Sequence, residues 1–138
     1  MNAAHLHLAL VHIPVLFVPL ALCILIGGLY FKKQILTTLA MSLLVFSALV
    51  AVPTFLTGEP AEEIVEELPL VSENAIEVHE EAAELAFYLS LVTGALALAS
   101  LFLNNRPKFK KLSVASVVAL STLSSVALLR AANLGGQI

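Results

Sequence analysis

Four long apolar stretches dominate the pattern of hydrophobic and polar positions along the chain. They cover about residues 8–30, 35–57, 73–103 and 112–132. A helix needs roughly 20 apolar residues to cross a bilayer, and each stretch meets that length. None of them alternates apolar and polar positions as the strands of a membrane barrel do. The pattern therefore predicts an all-α integral membrane four-helix bundle that forms a single domain over residues 1–138.

The connection between the second and third stretches carries a pattern of its own. It begins at the helix breakers Gly58 and Pro60. Residues 61–68 then place Ile64, Val65 and Leu68 on one helical face and four glutamates on the other. This spacing predicts a short amphipathic helix that lies on the membrane surface. A solvated acidic loop explains the same residues equally well.

Acidic residues are confined to one end of the predicted bundle, and six of the seven basic residues to the other. All ten acidic residues lie between Glu59 and Glu84, around the second connection. Cytoplasmic loops carry an excess of Lys and Arg, so the basic end is expected in the cytoplasm. The acidic connection and both termini are then expected in the periplasm, with the protein a multi-pass component of a bacterial inner membrane. The first and third connections hold six of the seven basic residues: Lys32, Lys33, Arg106, Lys108, Lys110 and Lys111.

Composition agrees with a membrane protein. Hydrophobic residues make up 59% of the chain and charged residues only 12%, against about 25% charged in a soluble domain. The lone cysteine, Cys23, has no partner for an internal disulfide, and its apolar surroundings predict a packed core thiol. The N-terminus lacks the basic segment of a signal peptide, so no cleavage is expected there. A nucleic-acid partner is not expected.

The four histidines are the candidate functional residues, and all of them fall on the predicted outer side. They are His5, His7, His12 and His79. His12 lies four residues inside its apolar run, or roughly 6 Å deep at the rise of an α-helix. An ionisable side chain at membrane depth indicates function by default. The alternative is that each histidine only satisfies a nearby backbone carbonyl.

The spacing around two of these histidines favours haem over a metal cluster. Neither His12 nor His79 has a histidine, cysteine or carboxylate three or four residues away, as zinc and di-iron sites on helices do. A b-type haem needs only two axial ligands, one from each of two helices. The pattern therefore predicts haem iron held by His12 and His79, with His5 or His7 and Arg130 contacting the propionates or replacing a ligand.

Small residues continue from His79 along the third span. They leave room for a flat macrocycle, although ordinary close packing of membrane helices explains them equally well. The residues of this stripe are Ala83, Ala86, Ser90, Gly94 and Ala97.

Two other functions remain open. One is an outer-side metal or quinone site built from the histidines and the glutamates of the third span. The other is a structural or accessory subunit in which the histidines are satisfied core groups. No nucleophile–histidine–acid constellation lies at membrane depth, so a hydrolytic enzyme is not expected.

Short motifs along the chain resemble a known family. They are Leu6-His7, the segment Val11-His12-Ile13-Pro14, Thr57-Gly58 closing the second span, His79, and Gly135-Gly136 after the fourth span. Together they resemble a small four-helix bacterial membrane domain of unknown function that opens with an LHPLLVHFPIAL-like segment. The resemblance implies that His7, His12 and His79 occupy that family's polar positions. Some of its members are fused to, or lie beside, c-type cytochrome domains, which favours electron transfer and implies redox partners in or near the membrane.

Overall fold

In the computed structural model of the chain, all the regular secondary structure of the described residues is helical. It describes residues 2–66, 72–102 and 107–138, with side chains from residue 110 onward in the last range. The helices are α1 (Ala3–Tyr30), α2 (Gln34–Leu56), α3 (Gly58–Glu66), α4 (Glu73–Phe102) and α5 (Pro107–Gly135).

The four long helices close into a ring. Helix α1 packs on α2, α2 on α4, α4 on α5, and α5 back on α1. Helices α1 and α4 therefore face each other diagonally across the bundle. The short α3 lies against α1 and α2 at one end. Within the described ranges, these four long helices are apolar enough to cross a membrane. The predicted four-helix membrane bundle is confirmed.

Small residues bring the helices close together. A Cβ atom added to Gly94 of α4 would overlap the Cβ of Ala48 on α2. A Cβ atom on Gly28 would lie 2.9 Å from the backbone nitrogen of Thr37. Such backbone approach is how membrane helices gain van der Waals contact, because lipid removes the hydrophobic drive between them.

Buried hydroxyl groups also join the helices. Thr93 of α4 and Ser124 of α5 form a hydrogen bond of 2.8 Å between their hydroxyl oxygens. Ser100 and Ser113 form a similar bond nearer the other end of these helices. The Ser47 hydroxyl on α2 is also buried, but it has no hydrogen-bond partner in the described part of the chain.

Helices α1, α3 and α5 each begin earlier than their sequence pattern predicts. Helix α1 starts at Ala3 because the Asn2 side chain caps it, accepting a hydrogen bond of 3.0 Å from the His5 backbone N–H. Helix α5 starts at Pro107, where proline suits the first helical position. In the connection between α2 and α4 the chain is helical as α3, although residues 67 and 68 of the predicted segment lie outside the described residues.

The prediction for Cys23 was wrong. Its side chain is exposed rather than packed in the core. Ala21 and Leu25 of the same helix are both fully buried. Because successive helical residues are separated by about 100°, a residue midway between two inward positions faces outward, toward lipid.

Candidate functional site

His7 connects α1 to the end of α2. Its Nδ1 lies 3.0 Å from the carbonyl oxygen of Thr54 and 3.3 Å from the hydroxyl oxygen of Thr57. The Thr57 hydroxyl in turn donates to the carbonyl oxygens of Pro53 and Thr54. The side chain of His7 is half-buried. Its ring is thus held in one orientation by groups on a different helix.

His79 makes the same kind of connection between α4 and α5. Its Nδ1 lies 3.0 Å from the carbonyl oxygen of Ala131, near the end of α5. This side chain is also half-buried. In both helical hairpins a histidine near the start of the first helix bonds the backbone near the end of the second.

A glycine lies beside each of the two imidazole rings. Gly58 follows Thr54 by four residues, and Gly135 follows Ala131 by the same interval. A Cβ atom on Gly58 would meet Cε1 of His7 at 3.8 Å, which is ordinary contact. A Cβ atom on Gly135 would lie 2.8 Å from Cε1 of His79. The second ring therefore fits its position only because Gly135 has no side chain.

The hydrogen bonds determine which ring nitrogen carries the proton. A backbone carbonyl oxygen has no hydrogen to donate, so the Nδ1 of His7 and of His79 must be the donor. In a neutral imidazole, the Nε2 atom then keeps its lone pair. Metal-binding histidines commonly have this form, because a hydrogen bond from the other nitrogen fixes the tautomer and orients the ring.

His7 and His79 lie at the same end of the bundle, each near the start of its helix. They belong to the diagonally opposed helices α1 and α4. Two half-buried imidazoles with matching hydrogen bonds therefore lie at one end of the molecule, on opposite helices.

His12 does not join this pair. Its side chain is exposed, and its Nδ1 lies 2.5 Å from the carbonyl oxygen of Leu8 in its own helix. His5 is also exposed and lies 2.5 Å from the side-chain oxygen of Asn2 at the helix cap. Both contacts are local ones, and they agree with the alternative that a histidine only satisfies a nearby polar group. Of the three histidines on α1, the geometry therefore favours His7 as the partner of His79.

The buried face of α1, which only the structure shows, separates His7 from His12. His7 lies seven residues before Pro14 and eleven before Val18, both buried positions on the inward face of α1. His12 instead shares its face with Leu16, which is 60% exposed. Depth in the apolar run favoured His12 as a ligand, whereas position on the buried face of α1 favours His7.

Charge distinguishes the end of the bundle that carries these histidines. Glu62 of α3 lies within electrostatic range of Glu80 of α4, as well as of Glu66 and Glu59 on its own helix. Arg130, next to Ala131 on α5, is exposed and forms no ion pair with a described carboxylate. The histidine pair therefore lies beside a strongly acidic surface that also holds one arginine.

Comparison with known proteins gives a family and no activity. No curated protein and no solved structure matches the chain. The sequence pattern of the family described as "Predicted membrane protein (DUF2231)" matches residues 3–138. The chain therefore belongs to this family of predicted membrane proteins, whose function is unknown.

Proposed function

We propose that the protein is a small electron-transfer subunit that binds one b-type haem near its acidic end, with His7 and His79 as axial ligands. The observation that carries the proposal is the presence of these two half-buried rings at one end of the bundle, on opposite helices and with the same kind of hydrogen bond. The Nδ1 atom of each ring is fixed by a carbonyl of a neighbouring helix.

The set of donor atoms suits haem better than a bare metal ion. In the described ranges, no three histidine, cysteine or acidic side chains come together in a way that could hold a metal ion. Structural and catalytic zinc sites use three or four protein ligands, whereas haem iron takes its two axial ligands from the protein. When bound, haem supplies one-electron exchange at its iron. His7 and His79 would hold the iron.

The hydrogen bonds to Thr54 and Ala131 have a chemical role in this proposal. Donation from Nδ1 to a carbonyl increases the basicity of Nε2 and keeps the ring from rotating. The two rings would then be prepared for ligation before any cofactor arrives. Arg130 and the exposed His5 are the polar groups proposed to contact haem propionates, since an arginine pairs well with carboxylates.

The acidic surface of α3 and α4 supports a basic soluble partner, such as a c-type cytochrome. Opposite charge on two proteins steers their encounter and raises the association rate at low ionic strength. The positive-inside rule supports a periplasmic position for this surface. Electron exchange would then take place on the periplasmic side of a bacterial inner membrane.

Titration with haem tests the proposal. Purified protein in detergent is mixed with increasing haemin, and absorption spectra are recorded before and after reduction. We expect a Soret band that saturates at one haem per chain and a sharp low-spin spectrum on reduction. His12→Ala is the matched control, because it removes an exposed imidazole from the same helix and should bind haem like the wild type.

Three results would contradict the proposal. The absence of a Soret band at any haem concentration would exclude haem binding. Bound copper, zinc or iron without porphyrin absorption would indicate a metal site instead. A protein without pigment or metal, destabilised by about 1–3 kcal/mol when a histidine bond is lost, would indicate that His7 and His79 serve only to join the helices.

A further inference from the structure

The end of the bundle opposite the histidines contains a cavity of about 260 Å³. It lies where the turn between α1 and α2 meets the beginning of α5. Neither the proposed haem site nor the family description accounts for it. Its lining residues are Gly28, Leu29, Lys32, Gln34, Thr37, Lys110 and Val114.

Positive charge is concentrated at this cavity without an acidic counterpart. Lys32 and Lys110 both line it, and no lining residue is acidic. All ten acids of the chain lie between residues 59 and 84, around the opposite end. The Lys110 ammonium group donates a hydrogen bond of 3.1 Å to the Gln34 side-chain oxygen, which holds it at the cavity but leaves its charge uncompensated. Two uncompensated ammonium groups at one site attract an anion.

The backbone at Lys32 gives a second, independent indication of a site. Lys32 has a φ angle of 53° and is the sole described residue other than glycine with a positive φ. The Lys33 N–H bonds the Gly28 carbonyl at 2.9 Å, and the Lys32 N–H bonds that of Leu29 at 3.3 Å. This is the Schellman ending of a helix, in which glycine is favoured at the left-handed position. A lysine there costs about 1 kcal/mol, and strained residues of this kind cluster where a side chain is needed for binding.

Hydroxyl groups extend the polar lining toward the middle of the bundle. A smaller cavity shares Gln34, Thr37, Lys110 and Val114 with the first and adds Ser100 and Ser113, whose hydroxyls are already bonded to the Leu96 carbonyl and to each other. Phosphate oxygens accept strong hydrogen bonds from ammonium and hydroxyl donors. The ammonium groups of Lys32 and Lys110 and the hydroxyl of Thr37 are therefore the donors that this site offers to a phosphate group.

Apolar surface beside the cavity identifies the source of the phosphate. Leu29 lines the cavity and is exposed, and Ile35 and Leu112 near it are exposed as well. Exposed leucine and isoleucine on spanning helices lie against acyl chains. Basic pockets between membrane helices bind anionic lipid headgroups for this reason. We propose that this cavity binds the phosphate headgroup of an anionic phospholipid, with Lys32 and Lys110 contacting the phosphate.

Native mass spectrometry of the detergent-solubilised protein tests the proposal, with phosphatidylglycerol as the probe. One lysine near an anionic headgroup contributes about 1 kcal/mol, so Lys32→Gly and Lys110→Gln should each weaken phosphatidylglycerol binding about fivefold. Lys33→Gln and Lys111→Gln are matched controls. They remove the same charge from exposed residues that do not line the cavity, and should change binding less than about twofold, because exposed charges without direct contact contribute little.

Lys32→Gly also keeps the test independent of folding failure. Glycine relieves the left-handed strain, so this variant should unfold at a higher temperature than the wild type without lipid while binding phosphatidylglycerol more weakly. Equal weakening by the control variants would overturn the proposal, as would equally tight binding of phosphatidylcholine. Displacement of the lipid by inorganic phosphate at a similar concentration would show that the ligand is a free anion and would also overturn it.

Discussion

Gly135→Ala should displace His79 and disrupt the histidine pair. The added methyl group would lie 2.8 Å from Cε1 and 3.2 Å from Nδ1 of the ring. Ordinary van der Waals contact begins at 3.4 Å, so the ring must move by about 0.6 Å to relieve the closest contact. The same ring is held 3.0 Å from the Ala131 carbonyl. A shift of that size lengthens or breaks this hydrogen bond.

The expected cost follows from these contacts. Loss of this hydrogen bond leaves the Nδ1–H group of the half-buried His79 without its partner, which costs about 1–3 kcal/mol. The preference of helices for alanine over glycine offsets this by up to about 1 kcal/mol. Gly135→Ala should therefore reduce the free energy of unfolding by about 1–2 kcal/mol, as measured by thermal or denaturant unfolding in detergent. Haem affinity should fall with it if His79 is a ligand.

Gly58→Ala is the matched control, because Gly58 occupies the corresponding place beside His7. Its methyl group would meet the His7 ring at 3.8 Å, within ordinary contact. This variant should be as stable as the wild type, or slightly more stable, with unchanged haem binding. Equal effects of the two substitutions would refute the claim that the close fit against His79 positions its ring.

The other predictions concern packing, buried hydroxyls and orientation. Gly94→Ala should destabilise the bundle by about 1–3 kcal/mol through the clash between α2 and α4, whereas Gly27→Ala, with open space around it, should not; equal unfolding temperatures would contradict the packing account. Ser47→Ala should preserve or raise stability because its hydroxyl has no described partner, whereas Thr93→Val should lower it by about 0.6 kcal/mol through the lost bond to α5. An accessibility tag in α3 should be labelled from the periplasm and one between α4 and α5 from the cytoplasm; the reverse result would contradict the proposed orientation.

The four spans were predictable from sequence because apolar length is a sufficient signal for a membrane helix. Their ends were less predictable, since local capping sets them. Asn2 extends α1 toward the N-terminus by hydrogen bonding to His5, and Pro107 begins α5 well before the apolar run. A hydropathy pattern predicts neither of these helix starts.

The site was predictable only in part. His79 follows from its position at the mouth of an apolar span. The choice between His7 and His12 depends on which face of α1 turns inward, and hydropathy is nearly uniform around that helix. The acceptor carbonyls of Thr54 and Ala131 belong to other helices. The sequence does not indicate which backbone carbonyl a side chain will bond, because every residue has one. The cavity at Lys32 was also not predictable from sequence, because it forms only where α5 packs beside the α1–α2 turn.

The spectrum of haem-loaded histidine variants tests the central claim most directly. Wild type, His7→Ala, His79→Ala and His12→Ala are loaded with haem under one condition and compared by absorption and electron paramagnetic resonance. Wild type and His12→Ala should show a six-coordinate low-spin iron. His7→Ala and His79→Ala should lose that signal and regain it on addition of imidazole, which shows that the fold is intact. Loss of the signal in His12→Ala and its persistence in His7→Ala would contradict the account.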